Sequence, residues 1–115
     1  MLNTLIEYVY YGNIRNMIDL VKIVGFDWDQ GNARKSEEKH NVMQAEAEQL
    51  FFNAPLLLLQ DEKHSNGEAR FHAYGKTDGG RKLHIAFTLR HEDTLIRVIS
   101  ARDMHRKERA MYDKS

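Results

Sequence analysis

Residues 95–112 read LIRVISARDMHRKERAMY, a run that passes from apolar, β-branched residues to a cluster of arginines. In its first half, apolar side chains occupy odd-numbered and even-numbered positions alike, which is typical of a strand covered on both faces. An interior β-strand is therefore predicted from Leu95. Asp103 is predicted to cap a terminal helix over residues 104–112, whose apolar stripe is narrow. The stretch thus predicts a buried strand followed directly by a basic helix.

Three runs upstream predict further strands, over residues 56–59, 69–77 and 82–91. The polar segment DEKHSNGE and the turn DGG separate them, and a short turn at 92–93 precedes the last strand. Residues 82–91 alternate between apolar and polar side chains. One face is predicted to hold Leu83, Ile85, Phe87 and Leu89, and the other His84, Thr88 and Arg90.

The N-terminal part of the chain is predicted to be mainly helical. Residues 2–10 repeat apolar side chains at helical spacing, and residues 17–28 predict a strand ending near Trp28. A polar helix follows, which Asp29 can cap and Asn41 can end in the left-handed conformation. A second helix is predicted over 44–53. Helices, then an antiparallel meander, then a basic terminal helix make an α+β fold.

The chain of 115 residues has the length of one domain, and its 17 Lys and Arg balance its 17 Asp and Glu. The charged side chains are nevertheless distributed unevenly along the chain. Residues 1–69 contain 6 basic and 11 acidic side chains, whereas residues 70–115 contain 11 basic and 6 acidic ones. The two parts therefore carry −5 and +5, a pattern that favours an anionic partner for the C-terminal part.

Several classes of protein are disfavoured by what the sequence lacks. The absence of cysteine excludes disulfides, thiolate nucleophiles and cysteine-based zinc sites. No run resembles a signal peptide or a membrane span, which predicts a cytoplasmic protein without a membrane partner. No phosphate loop followed by a helix and no hydrolase elbow is present, so no cofactor is expected.

Arginines within apolar runs are the main candidates for chemistry. Arg70 and Arg97 should each find an acidic partner or face an open groove, because an unpaired buried charge is costly. Arg97 and Arg102 are five residues apart, so a regular strand would place them on opposite faces, and one site could use both only if the strand bends. A structural ion pair is the alternative for each. The basic helix likewise predicts either a phosphate-binding edge or a solvated face.

Histidines offer candidates for proton transfer, since the pKa of an unperturbed histidine lies nearest to neutrality. His72 and His84 could meet across neighbouring strands, but no metal-ligand spacing accompanies them, and no metal is expected. The sequence does not rank the candidates for a general base, which are His40, His64, His72, His84 and the carboxylate of Glu68.

Three segments in this order resemble the BrnT family of type II toxin–antitoxin toxins: FDWDQGNARKSEEKHNV, DEKHSNGEARFHAYGKT and FTLRHEDTLIRVISARDMHRKERAMY. They extend from Phe26 to Tyr112, and the ordered set carries the resemblance. It implies a RelE-like fold, with two N-terminal helices packed on a curved antiparallel sheet and a basic C-terminal helix. Residues 26–115 would be the toxin domain, and residues 1–25 an N-terminal extension atypical of the family.

The resemblance also implies a function. Members are endoribonucleases that arrest growth by cutting RNA, and a BrnA-like ribbon-helix-helix antitoxin neutralises them and carries the complex to operator DNA. The family's motifs fall here on Lys39-His40, His64-Ser65, Arg70-Phe71, residues 99–102, and Glu108, Arg109 and Tyr112. Ser36 and Asn41 stand where the family usually has asparagine and glycine.

These implications lead to a hypothesis for a metal-independent site. Arginines would meet the charge of the phosphorane while other groups move protons, giving 2′,3′-cyclic phosphate and 5′-hydroxyl ends. The expected catalytic residues are Arg70, Arg90, Arg97, Arg102, His40, His64 and Glu68. The expected RNA-binding residues are Lys39, His84, His105, Arg106 and Arg109. A non-catalytic RNA-binding or co-repressor module derived from such a toxin is the alternative.

Overall fold

The computed structural model describes residues 8–10 and 18–115, and its fold is α+β, as the sequence predicts. The strands of the described part are β1 (Tyr8–Tyr10), β2 (Gly25–Phe26), β3 (Leu56–Gln60), β4 (Arg70–Lys76), β5 (Lys82–Arg90) and β6 (Leu95–Asp103). The α-helices there are α1 (Gln30–His40), α2 (Gln44–Gln49) and α3 (Arg106–Asp113). Among these residues, no helix is long and apolar enough to cross a membrane.

The strands form one sheet in the order β1-β3-β4-β5-β6-β2. The prediction of an antiparallel sheet is wrong at both edges, because β1 runs parallel to β3 and β2 runs parallel to β6. The four central strands are antiparallel to one another. β6 is an interior strand, as predicted, but it is not covered on both faces, since Arg97, Ser100 and Arg102 remain partly exposed on its polar face.

The N-terminal predictions are partly wrong. Residues 8–10, predicted to end a helix, pair as a strand with Leu56–Leu58, and their Tyr-Val-Tyr sequence favours that conformation. The rest of that predicted helix lies outside the described residues. The strand predicted over residues 17–28 is reduced to Gly25–Phe26, because the Asp19 side chain accepts the Val21 N–H and begins a 3-10 turn instead.

The helix α1 follows the sequence closely. Asp29 caps it by accepting the Asn32 N–H, and the Asn32 side chain accepts the Asp29 N–H in return. Asn41 ends it at φ 53°, in the left-handed region that asparagine tolerates. The prediction for residues 44–53 corresponds to α2 and a 3-10 turn over Leu50–Phe52.

The core lies between one face of the sheet and the segments around α2. The Phe51 ring meets the Phe87 ring edge-on, with centroids 5.4 Å apart, and Phe71 also packs against Phe87. Residues 18–23 contribute to this core, since Ile18 and Ile23 are each 1% exposed. Part of the predicted extension is therefore packed against the sheet.

A β-bulge in β6 changes which side chains share a face. Val98 lies opposite Phe87 and Ser100 lies opposite Ala86, so Ile99 is an extra residue in β6. Arg97 consequently lies opposite Thr88, and Arg102 lies opposite His84, on the polar face of β5. The bulge supplies the bend that the spacing of these two arginines requires.

Helix α1 packs along β6 beside the bulge. The Asn32 side-chain amide donates to the Val98 carbonyl at 2.9 Å, and the Ser36 hydroxyl accepts the Ala101 N–H at 2.9 Å. Both polar side chains are buried, Ser36 at 2% exposed. These bonds satisfy backbone groups on either side of the bulge and fix α1 against the sheet.

The start of the last helix differs from the prediction. Asp103 is not its cap but the last residue of β6, where its carboxylate accepts two hydrogen bonds from Arg81. The helix begins at Arg106, and the N–H of its cap residue His105 donates to the Glu108 carboxylate at 2.8 Å. Because Arg102 is in the strand, it does not extend the basic helix face.

We expect the replacement Ser36→Ala to lower the free energy of unfolding by about 1–3 kcal/mol, because the buried Ala101 N–H would lose its acceptor. Urea unfolding followed by circular dichroism measures the change. The matched control is Ser115→Ala, since the Ser115 hydroxyl is exposed and makes only a long hydrogen bond of 3.4 Å to the Met111 carbonyl. It should alter the free energy by less than about 0.5 kcal/mol. Equal stabilities of wild type and Ser36→Ala would contradict the role of Ser36 beside the bulge.

Candidate functional site

A groove of about 410 Å³ opens between the N-terminus of α1 and the polar face of the sheet. Four separate parts of the chain contribute its charged side chains. We call it the arginine groove and define it by Asp29, Lys35, Glu68, Arg70, Arg90 and Arg97. Three of the arginines predicted to be catalytic, and the predicted carboxylate, therefore lie together.

Arg97 is held in the groove by two carboxylates near the start of α1. Its guanidinium donates to Asp29 at 2.9 Å and lies 3.5 Å from Asp27. The Asn32 N–H and the Arg97 guanidinium together hold the pKa of Asp29 below its ordinary value. The helix cap and the ion pair thus stabilise the same ionised carboxylate, which orients Arg97.

Arg90 and Arg70 differ in their partners. The Arg90 guanidinium donates to the Glu68 carboxylate in a direct ion pair. Arg70 lies opposite Thr88 on the polar face, and its guanidinium forms no hydrogen bond or ion pair with the residues that the structure describes. Both sequence expectations for a strand arginine are therefore met, since Arg97 has acidic partners and Arg70 faces the open groove.

A second polar cluster adjoins the groove on the same face of the sheet. We call it the histidine network, and it consists of Asp61, His64, His72 and His84. The Asp61 carboxylate lies 2.9 Å from His64 Nδ1 and 3.3 Å from His72 Nε2. His72 Nδ1 lies 2.7 Å from His84 Nε2. The four side chains form one chain of polar contacts from solvent into the protein.

Burial determines the charge of the inner histidines. It lowers the pKa of His84 to about 4, with a further contribution from Arg102, and it lowers the pKa of His72 despite the attraction of Asp61. Both rings are therefore neutral at pH 7. His84 is only 7% exposed, so little of its side chain is open to RNA, and its role in RNA binding stays a prediction.

Arg102 lies at the far end of the polar face and does not line the groove. It donates to both oxygens of Glu108, at 2.7 and 3.0 Å, and Tyr74 donates to the same carboxylate at 3.3 Å. Burial would raise the pKa of Glu108, but the bonds from Arg102 and the His105 N–H outweigh it and bring the pKa to about 2. Arg102 thus joins α3 to the sheet.

The other predicted residues lie elsewhere. His40 is the last residue of α1, about 16 Å along the helix from Asp29, so it cannot reach the groove. Lys39 is exposed beside it. His105 and Arg106 are exposed at the start of α3, and Arg109 there donates to the Met104 carbonyl. The structure does not bring these residues to the arginine groove.

Three groups of the site were missed from the sequence, and one of them, Asp29, was predicted only as a helix cap. Lys35 enters the groove only because α1 lies along β6, a placement with no local sequence pattern. Asp61 precedes His64 by three residues at a 3-10 turn, and this spacing could have indicated a pair. Within residues 8–10 and 18–115, no three potential ligands are grouped so that they could hold a metal ion.

We expect Glu108→Gln to lower the free energy of unfolding by about 2 kcal/mol at pH 7, because Arg102 would lose an ionic partner. The pKa of Glu108 is about 2 in the fold against 4.5 for an unperturbed glutamate, so its contribution is present above pH 4.5 and is lost as the pH falls toward 2. Urea unfolding at several pH values should show that the free energies of unfolding of wild type and Glu108→Gln converge as the pH falls.

The control for this measurement is Glu38→Gln, whose carboxylate is 68% exposed and pairs with Arg34 on the surface of α1. It should change the free energy of unfolding by less than about 0.5 kcal/mol at any pH. A difference between wild type and Glu108→Gln that stays constant down to pH values near 2 would contradict the assignment.

The comparisons with known proteins agree with the resemblance seen in the sequence. The family model described as "Ribonuclease toxin, BrnT, of type II toxin-antitoxin system" matches residues 28–108, which include α1, the four central strands, and the whole of the arginine groove and the histidine network. A search of curated proteins found no match. The chain belongs to the BrnT family of ribonuclease toxins of type II toxin–antitoxin systems.

Proposed function

We propose that this protein is a metal-independent endoribonuclease that cleaves RNA by attack of a 2′-hydroxyl on the adjacent phosphate. The observation that carries the proposal is the arginine groove, where three guanidinium groups and the Lys35 ammonium surround an opening beside a carboxylate and a histidine network. A phosphodiester is the anion that suits such a set of donors. Family membership supports RNA as its source.

Arg70 is the residue that we assign to the scissile phosphate. Its guanidinium faces the groove, and no carboxylate among the described residues occupies its donors. A planar guanidinium can give two parallel hydrogen bonds to one phosphate and keeps its charge through the pH range of the reaction. Arg70 can therefore bind the phosphate without first breaking an ion pair.

Arg90 and Arg97 contribute differently. Glu68 holds the first and Asp29 holds the second, so each guanidinium has its position before RNA arrives. Donors that are fixed in advance stabilise charge developing in a transition state at little cost in reorganisation. We assign these two arginines to the negative charge of the phosphorane. Because Arg102 is paired with Glu108, we assign it a structural role and not a catalytic one.

The groove also has candidates for proton transfer. Cleavage requires that the 2′-hydroxyl lose a proton and that the 5′-oxygen gain one. Glu68 lines the groove, and His64 belongs to the adjoining network. The products would carry 2′,3′-cyclic phosphate and 5′-hydroxyl ends.

The partner that we propose is a BrnA-like ribbon-helix-helix antitoxin, acting in the cytoplasm where its substrate RNA is found. An acidic segment of the antitoxin would compete with RNA for the arginine groove, since both present anions to the same guanidinium groups. Operator DNA would be bound only through the antitoxin in the complex. Family membership supports a type II partnership, and the charge of the groove supports the mode of masking.

We expect Arg70→Ala to slow cleavage by about 10²–10³-fold, because one donor to the developing charge is removed. Its folding should be unaffected, since the guanidinium has no partner among the described residues. The measurement uses antitoxin-free protein, a 5′-labelled oligoribonucleotide and excess EDTA, with mapping of the product ends. A substrate carrying one 2′-deoxynucleotide at the cut position should resist cleavage there.

Arg34→Ala is the matched control, because Arg34 is an exposed arginine on α1 outside the groove and should retain full activity. A wild-type protein that binds the oligonucleotide in this buffer yet leaves it intact would refute the nuclease and favour the non-catalytic binding module. Cleavage that needs a divalent cation, or that tolerates the 2′-deoxynucleotide, would refute the mechanism.

A further inference from the structure

Asp61 is the residue of the polar face whose contacts the sequence did not predict. It directly precedes the 3-10 turn Glu62–His64, and its side chain is only 11% exposed. Burial would raise its pKa, but the hydrogen bond from His64 and the nearby His72 outweigh this and hold the pKa below its ordinary value. Asp61 is therefore an ionised, largely buried carboxylate whose two side-chain partners are histidines.

The contacts of Asp61 determine the tautomer of His64. Both Asp61 carboxylate oxygens lie within 3.1 Å of His64 Nδ1, so this nitrogen carries the proton and donates it. His64 Nε2 then carries a lone pair, and the side chain is 57% exposed to solvent. A neutral imidazole with its Nδ1–H held by a carboxylate and its Nε2 free has the form of a general base.

The inner histidines anchor the carboxylate from the other side. His72 Nε2–H donates to Asp61, so His72 Nδ1 must accept from His84 Nε2–H at 2.7 Å. This leaves the buried His84 Nδ1 as an acceptor without a partner among the described residues. The pair fixes Asp61 in place while itself remaining neutral.

The backbone connects Asp61 and His64 to the groove. The Asp61 N–H donates to the Arg70 carbonyl at 2.8 Å, and the Arg70 N–H donates to the Ser65 hydroxyl at 3.1 Å. The Ser65 hydroxyl in turn donates to the Asp61 carbonyl. The turn that carries His64 is thus fastened to the first residue of β4, whose side chain faces the groove. His72 is two residues along the same face, about 7 Å from Arg70.

On the basis of the proposed function, we infer that His64 is the general base of the cleavage reaction and that Asp61 is the residue that positions it. His64 Nε2 takes the proton of the 2′-hydroxyl as the 2′-oxygen forms a bond to phosphorus. The bond from phosphorus to the 5′-oxygen breaks, and this oxygen keeps the bonding pair and takes a proton from water. The hydroxide that remains takes the proton from the His64 imidazolium, which restores both the water and the neutral base, so that protons and electrons balance and no co-reactant is consumed.

The Asp61→Asn variant tests the inference, because it keeps the shape of the side chain and removes its charge. We expect the single-turnover rate to fall by about 10²–10⁴-fold, since an amide can stabilise the wrong tautomer of His64. Affinity for an uncleavable 2′-O-methyl oligonucleotide should stay within about threefold. Asp19→Asn is the matched control, because Asp19 is exposed and asparagine also caps a turn.

A double variant separates a positioning role from a structural one. The double variant Asp61→Asn/His64→Gln should be no slower than His64→Gln alone, because the two residues act as one unit.

Outside the histidine network, the charged or titratable groups that act on its inner histidines are Arg102, Glu108 and His105. None of these side chains is replaced in Asp61→Asn. Addition of imidazole to His64→Ala should restore part of the rate, which provides a test that does not depend on Asp61→Asn folding.

The outcomes are distinct. An unchanged rate in Asp61→Asn, or additive losses in the double variant, would overturn the inference while wild-type cleavage still supported the proposed function. A wild-type protein that makes no cyclic-phosphate product would overturn both. A loss of RNA affinity without a loss of single-turnover rate would show that Asp61 contributes only to RNA binding, and would also overturn the inference.

Discussion

One extra residue in β6 determines the composition of the polar face. If Ile99 were paired as in a regular strand, Arg97 and Arg102 would point to opposite sides of the sheet, and Val98 and Ala101 could not both enter one core. With it, Val98 and Ala101 are both fully buried although they are three residues apart. The bulge therefore lets one strand contribute to a continuous core and to a continuous polar surface.

The bulge depends in turn on α1. A bulge leaves backbone groups without partners in the ladder, and such groups are costly when buried. Asn32 and Ser36 supply partners on either side of it. The same helix is capped by Asp29, whose carboxylate holds Arg97. One packing arrangement therefore explains the helix cap, the hydrogen bonds beside the bulge and the position of Arg97.

Local patterns in the sequence predicted local structure well. The alternation along β5, the cap at Asp29 and the left-handed Asn41 are set by neighbouring residues, and the structure confirms each. The parallel edges of the sheet and the place of Asp103 depend on distant pairing, so they were predicted wrongly. The grouping of Arg70, Arg90 and Arg97 with Glu68 relied on the family resemblance, because spacing along the chain does not give the register between separate strands.

The sorting of charge along the chain has a structural explanation. Carboxylates from the acidic part, Asp29 and Glu68, pair with Arg97 and Arg90 of the basic part across the groove. These pairs reduce repulsion among the guanidinium groups, which would otherwise oppose their convergence. Arg70 and Lys35 are left as the groove cations with no described acidic partner, so the net attraction is concentrated on a small part of the surface. In the proposed function, such a groove would favour one phosphate over a polyanion bound along its length.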